Sequence, residues 1–278
     1  MIAADYSADN RYGIRADAYD AFRPSYPNDV LACLRTKTGL PESAIAVELG
    51  SGTGIFTRQL LESGWTVFAV EPNHEMRAIS FQKLGHHKRF NLVCGRAEAS
   101  TLDSQSCDLV VAAQSFHWFD MRHTLREILR IVRPQGYVAI VWSDMLRTVD
   151  YFHSKLHEIV TQCPDYGRFA LESMDDFGER ARLLLAHYSL VADQSFDFEQ
   201  QLNREMLYGR MASSSYWPES DSTDSIAQLK KLNKLFDQCE TNGQIRLRYQ
   251  TRLILVKLVT TSLSSVYPVG RTKGISLF

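Results

Sequence analysis

From residue 30 to residue 142, short apolar runs alternate with segments whose apolar positions recur at helical spacing. The runs at 44–47, 65–70, 92–94, 108–113 and 137–142 are short and largely apolar, and they read as buried strands. Between them the spacing predicts helices over 30–40 and after Gly54, the latter with Phe56, Leu60 and Leu61 on one face. Further helices are predicted from the Pro72-Asn73 turn to about Leu84, and over 121–132 with an apolar stripe of Leu125, Ile128, Leu129 and Val132. Arg133-Pro134-Gln135-Gly136 stops the last of these, because proline and glycine are the usual helix terminators. Strands and helices alternating in this way build a doubly wound parallel sheet with right-handed crossovers.

Past Trp142 the rhythm changes. Phe152, Leu156, Ile159 and Val160 predict one helix and 180–187 another, with a polar loop through Pro164-Asp165-Tyr166-Gly167 and Met174-Asp175-Asp176-Phe177-Gly178 between them. This block, 146–192, reads as a helical cap inserted over the carboxyl edge of the sheet. Residues 195–199 alternate as a strand, 203–211 form a short helix, and Ile226, Leu229, Leu232, Leu235 and Phe236 mark an amphipathic helix. A long strand over 244–256 carries Ile245, Leu247 and Tyr249 on one face and Arg246 and Arg248 on the other. At the other end, 1–28 form an arm with Tyr12, Tyr19 and Phe22-Arg23-Pro24-Ser25-Tyr26-Pro27, whose second proline opens the helix beginning at Asn28. The expected single domain thus has an arm (1–28), a core (29–145), a cap (146–192), a last pair of strands with intervening helices (193–260) and a loosely ordered tail (261–278).

Composition narrows the function. The 278 residues carry a net charge of −1, so no overall field draws the protein to nucleic acid or an anionic membrane. Lys230, Lys231, Lys234, Arg246, Arg248 and Arg252 read as solvated faces, without the interleaved aromatics of a single-strand binder. No apolar run approaches a membrane span, and the start at Met1-Ile2-Ala3-Ala4 lacks the basic segment and apolar core of a signal peptide. Cys33, Cys94, Cys107, Cys163 and Cys239 are scattered and odd in number, which suits reduced thiols in a cytoplasm. His86-His87 sits in a polar turn, and no histidine spacing suggests a metal. The expectation is a cytoplasmic monomer or homodimer with a small-molecule partner, no metal, no membrane and no nucleic acid.

The chemistry centres on Val47-Glu48-Leu49-Gly50-Ser51-Gly52-Thr53-Gly54, where a strand runs into a glycine turn and out into a helix. Three alternate glycines let backbone approach a ligand, and free amides at the helix start point toward it. Glu48, two residues before the first glycine, is placed to attract a cationic amino group. Glu71 ends the next strand, where a carboxylate accepts hydrogen bonds from both hydroxyls of a ribose. Ile55 stands where a dinucleotide fingerprint wants its third glycine. Gln114-Ser115-Phe116-His117-Trp118-Phe119-Asp120 follows the fourth strand, beside the point where strand order reverses and ligands bind.

Acid-x-Gly-x-Gly-x-Gly with a second acid at the next strand end resembles class I S-adenosylmethionine-dependent methyltransferases. Tyr19-x-x-x-Arg23-Pro24-x-Tyr26-Pro27 and the 114–120 segment look like the subgroup that includes trans-aconitate methyltransferase-like proteins. The resemblance covers residues 12 to 142 well and the remainder only loosely. It implies a mostly parallel seven-stranded sheet whose last two strands are antiparallel, with S-adenosylmethionine as cofactor and S-adenosylhomocysteine as product. It implies a cofactor site of Tyr19, Arg23, Glu48, Gly50, Ser51, Gly52, Gly54, Glu71, Pro72, Met76, Ala97, Glu98, Gln114 and Ser115. Tyr26, His117, Trp118, Arg210 and Tyr216 are the expected acceptor site; if the resemblance extends to the substrate, the acceptor is a small acid whose other carboxylates Arg23, Arg210 and Tyr216 are candidates to hold.

Displacement at a sulfonium is in-line, so positioning and desolvation carry most of it. A carboxylate acceptor needs no base; a hydroxyl or amine does, and His117 is the candidate, its alternative role being a pocket wall. Met76 fits an adenine face and a core position equally, and Tyr216 and Trp217 fit a substrate wall or core packing. A nicotinamide-dependent oxidoreductase on the same sheet, a methyltransferase of protein or nucleic acid, and a catalytically silent S-adenosylmethionine-binding module are the rival readings.

Overall fold

A computed structural model of the chain describes residues 15–169, 181, 188–219 and 221–258. The expectations for Tyr12, for the loop at 174–178, for the tail and, apart from Ala181, for a helix over 180–187 fall outside the described residues.

The parallel half of the fold follows the predicted alternation. It comprises β1 (Ile45–Leu49), β2 (Thr66–Val70), β3 (Phe90–Val93), β4 (Cys107–Ala113) and β5 (Val132–Met145). The helices of this half are α1 (Ala16–Phe22), α2 (Asn28–Thr38), α3 (Ile55–Glu62), α4 (His74–Leu84) and α5 (Met121–Ile131). After β5 come α6 (Tyr151–Thr161), the short α7 (Tyr166–Phe169) and β6 (Ser189–Leu202), then α8 (Arg204–Ala212), α9 (Thr223–Cys239) and β7 (Ile245–Lys257). Asn73, Asp120, Asp150, Asn203 and Ser222 each accept an amide hydrogen bond from three residues on, capping α4, α5, α6, α8 and α9.

The seven strands form one sheet in the order β3-β2-β1-β4-β5-β7-β6, with β7 antiparallel to both its neighbours and the other pairs parallel. Strand order reverses between β1 and β4, which opens the crevice where ligands bind in such sheets. Successive side chains of the inner strands go to opposite faces and both faces are buried, which is why these strands read as continuous apolar runs. Val110, Ala112, Val138 and Ile140 join the α5 stripe on one face, whereas Leu109, Val111, Ala139 and Val141 join α2 and α3 on the other.

The structure redraws several boundaries. Val132 already pairs with Cys107, and Asp108 then stands opposite the whole Arg133-Pro134-Gln135-Gly136 turn before Leu109 meets Tyr137. β3 ends at Val93, one residue short of expectation, and Cys94 is exposed. β6 extends well beyond 195–199, because pairing with β7 continues from Ser189 to Leu202. The arm contains a helix, α1, and α7 interrupts the loop expected after α6.

A third apolar cluster lies beyond the ends of the parallel strands. It gathers Phe152, Leu156 and Val160 of α6, Leu207 and Met211 of α8, Leu232 and Phe236 of α9, and Leu202, Leu247 and Tyr249 from the outer parts of β6 and β7. It thus joins residues from both sides of position 192.

Candidate active site

The Gly50–Gly54 turn is built on positive backbone φ angles of +68° at Gly50, +57° at Gly52 and +85° at Gly54, a region that disfavours any Cβ. Two of these glycines are also hemmed in. A Cβ on Gly50 would lie 2.6 Å from that of Ser115, and one on Gly54 would lie 2.7 Å from Leu84 Cδ1. Nothing lies within 4 Å of the equivalent point on Gly52, so its open side is ligand space. The Gly50 and Ser51 amides donate to the Val70 carbonyl (2.8 and 3.1 Å), and Ser115 Oγ donates to the Leu49 carbonyl (2.6 Å), tying the loop to β2 and β4. Glu71, at the end of β2, accepts amide hydrogen bonds from Gly52 and Asn73, both at 2.9 Å, which fixes its carboxylate against the loop.

These residues line a cavity of about 360 Å³ together with Tyr19, Tyr26, Pro72, Met76, Arg96, Ala97, Glu98, Gln114, Trp118 and Phe119. Glu48 lies on its floor, 1% exposed, with Thr57 Oγ1 donating to its carboxylate. Burial pushes the Glu48 carboxyl up to about 8; the Thr57 hydroxyl opposes the shift and the neighbouring Glu71 adds to it. A buried carboxyl with no cation beside it among the described residues, facing an open cavity, suits a ligand that brings a positive amino group. Met76 is buried and also lines the cavity.

A second cavity of about 100 Å³ adjoins the first, and Tyr19 and Gln114 line both. Gln114 has a positive φ of +54° at the end of β4, and its side-chain amide donates to the Ser143 carbonyl at the end of β5. Arg23, His117, Asp144, Arg147, His157, Tyr166, Arg210 and Tyr216 supply the polar lining. The Arg210 guanidinium is 6% exposed and donates to the Tyr249 hydroxyl and to Ser214 Oγ, both at 3.0 Å. Arg23 donates to the Ser213 carbonyl (3.1 Å) and lies 4.9 Å over the Tyr19 ring, with its Nε buried and unpartnered. Among the described residues, neither Arg23 nor Arg210 has a carboxylate partner.

His117 packs between Trp118 and Trp142, with ring centroids 4.9 and 4.8 Å away. Both its ring nitrogens are buried without a hydrogen-bond partner among the described residues. Burial, reinforced by the charge of Arg23, pulls its pKa down to about 3, so the imidazole is neutral throughout the physiological range.

The placement of the sequence-derived residues is therefore mixed. Tyr19, Glu48, Gly50, Ser51, Gly52, Glu71, Pro72, Met76, Ala97, Glu98, Gln114 and Ser115 come together around the first cavity, with Gly54 behind them against Leu84. Arg23, expected both at the cofactor and as a hold for the carboxylates of a small acid, faces the second cavity, while Tyr26 and Trp118, expected at the acceptor, line the first. Tyr26 is held there by its amide and carbonyl bonding the Gln59 side chain, and its ring meets Phe56 edge-on at 4.9 Å. His117, Arg210 and Tyr216 do meet around the second cavity, whereas Trp217 is buried in the third cluster. Asp144, Arg147, His157, Tyr166 and Tyr249 were not anticipated. Asp144 and Arg147 carry a readable signal, since one lies at the end of β5 and the other follows it, at the same carboxyl edge that singles out 114–120.

Residues 47–140 match the family model described as a methyltransferase domain. Over 241 residues the chain is 30% identical to the methyltransferase-like protein C25B8.10 of Schizosaccharomyces pombe, itself uncharacterized, covering 84% of this chain and 90% of that one. It is 37% identical over 133 residues to the uncharacterized methyltransferase Mb3374 of Mycobacterium bovis, across 48% of this chain and 51% of that protein. In fold it resembles an Anaeromyxobacter dehalogenans protein provisionally described as a type II methyltransferase, with a TM-score of 0.61, 21% identity, and coverage of 85% of this chain and 97% of that one. These likenesses favour the methyltransferase reading of the glycine loop over the nicotinamide one. The chain belongs to the class I S-adenosylmethionine-dependent methyltransferases.

Proposed function

We propose that the protein methylates a carboxylate oxygen of a small acid, with the cofactor in the first cavity and the acid in the second. The observation that carries this reading is a pair of guanidiniums, Arg23 and Arg210, facing the second cavity without a carboxylate partner among the described residues. A buried cation lacking an ionic partner is costly, and an anionic ligand removes that cost. S-adenosylmethionine supplies the electrophilic methyl group when bound. Glu48 receives its amino group, Glu71 its ribose hydroxyls, and Met76, Ala97 and Glu98 surround its adenine. Tyr19 and Gln114, at the junction of the two cavities, orient the acceptor oxygen and exclude water from the transfer.

A carboxylate is already ionised at neutral pH, so no residue has to take a proton. This agrees with His117, whose conjugate acid is far too strong for it to act as a base near neutrality. His117 is therefore assigned to the pocket wall. The partner is a small molecule rather than nucleic acid, the setting is cytoplasmic, and the protein acts as a monomer or homodimer.

The test has two stages. Calorimetric titration with S-adenosylmethionine, S-adenosylhomocysteine and NAD, repeated on Glu71→Ala, is expected to give binding of the two adenosyl ligands alone, lost in the variant. Methyl-labelled S-adenosylmethionine is then offered with a panel of small carboxylic acids, and base-labile label in the product reports a methyl ester. Cofactor binding with no ester from any acid would overturn the acid reading and favour a catalytically silent module.

A further inference from the structure

The second cavity is polarised, and its acidic pole is unexplained by an acid acceptor alone. Asp144, at the end of β5, is the one carboxylate among the described residues lining it. Two guanidiniums act on Asp144, those of Arg147 and Arg210. It contacts only Arg147, through a single hydrogen bond of 3.3 Å, and accepts another from the Met145 amide at 2.9 Å. Arg210 stays with the hydroxyls of Tyr249 and Ser214 on its own side. Burial raises the Asp144 carboxyl above the ordinary carboxylate range, although both arginines pull it down. Asp144 and Arg210 thus line the same small space without touching.

A ligand that completes both groups must present an anion to the guanidinium and a hydrogen-bond donor to the carboxylate. Two kinds of donor are chemically open. A protonated amine or a second carboxylate placed there meets both members of the Asp144–Arg147 pair, so attraction to one is offset by repulsion from the other. A hydroxyl needs no charge partner and donates to the carboxylate directly.

We propose that Asp144 selects acceptors that carry a hydroxyl group in addition to their carboxylate, so that the acceptor is a small hydroxy acid. This rests on the acid reading of the second cavity. Arg210 holds the anionic end and Asp144 accepts the hydroxyl hydrogen bond; neither takes part in bond making. A hydrogen bond to a charged group, left unmade by the analogue lacking the hydroxyl, corresponds to roughly ten- to hundredfold in kcat/KM.

The experiment uses the full chain with matched pairs of acids from three to eight carbons, each with and without a 2- or 3-hydroxyl, succinate and malate being one pair. Turnover is measured with labelled S-adenosylmethionine, and direct binding of each acid by calorimetry in the presence of S-adenosylhomocysteine. The proposal expects the hydroxylated member of at least one pair to be favoured at least tenfold in both readouts. Asp144→Ala should abolish that preference and Asp144→Asn, which keeps an acceptor oxygen, should retain part of it. Unaltered S-adenosylhomocysteine affinity shows each variant to be folded; if Ala fails that check, Asp144→Ser replaces it. Equal use of both members of every pair, or a preference that survives in Asp144→Ala, overturns the proposal. Turnover of no acid at all overturns instead the acid reading beneath it.

Discussion

At the scale of single residues, Glu48 gives the sharpest expectation. Its carboxyl is pushed up to about 8 by burial, so at neutral pH it holds its proton, and a cationic amino group arriving beside it favours the ionised form. Cofactor binding then releases a proton, and affinity rises with pH up to about 8, where Glu48 is already ionised when free. Between pH 6 and 7, below the range where an α-amino group titrates itself, the gain is about tenfold. Calorimetry in buffers of different ionisation heat measures both the slope and the released proton, and Glu48→Gln is expected to flatten the slope. The same linkage acts on stability with its own sign. The unfolded chain ionises this group near its ordinary 4.5, so the empty protein loses stability as pH rises from there toward 8. None of this is visible in the sequence, which shows an acid before a glycine turn but not its depth of burial or the Thr57 hydroxyl bonded to it.

At the scale of elements, the glycine loop separates folding from binding within five residues. Gly50→Ala and Gly54→Ala each combine a left-handed backbone with a collision under 3 Å, so each is expected to destabilise the empty protein by about 2–5 kcal/mol. Gly52→Ala meets open space and bears only the backbone strain, about 1–2 kcal/mol, but its methyl enters the cavity. Urea melts paired with cofactor titration distinguish the two kinds: stability falls mainly in the first pair, and affinity falls disproportionately at Gly52. The loop and the inner strands were legible because strands buried on both faces read as apolar runs, and because glycine spacing reports backbone geometry directly. β6 was only partly legible for the opposite reason. It is the edge strand, half of its residues exposed, and residues such as Asp197 and Glu199 keep that edge polar rather than marking a buried face.

At the scale of the whole molecule, the two cavities depend on one docking event. Arg15 donates to the carbonyls of Ser214 and Trp217 just past the end of α8, Asp20 pairs with Lys83 of α4, and Phe22 lies where a side chain on Gly209 would stand, 2.3 Å from its Cβ. α1 is thereby pinned across α4 and α8, and it carries Tyr19 into both cavities, with Arg23 following immediately into the second. Gly209→Leu is expected to lift α1 and weaken cofactor and acceptor binding together, by tenfold or more each, while the core melts near its usual temperature; calorimetry and thermal unfolding check this. The second cavity itself was mostly beyond sequence reading. Its walls come from α1, the ends of β4 and β5, the α6–α7 region and α8, and only tertiary packing brings Arg23, His157 and Arg210 to one place. The first cavity was legible because most of its lining lies at the ends of β1, β2 and β4, where fold topology alone predicts a ligand.

The third apolar cluster stands apart from the two that sandwich the sheet, sharing with them the strands β6 and β7 but none of their buried side chains. Substitutions in separate clusters combine additively, whereas neighbours within one cluster couple. Repacking around Trp217 or Met211 therefore acts on the second cavity first, and reaches the first cavity only through the Arg15 and Phe22 contacts that seat α1 on α8.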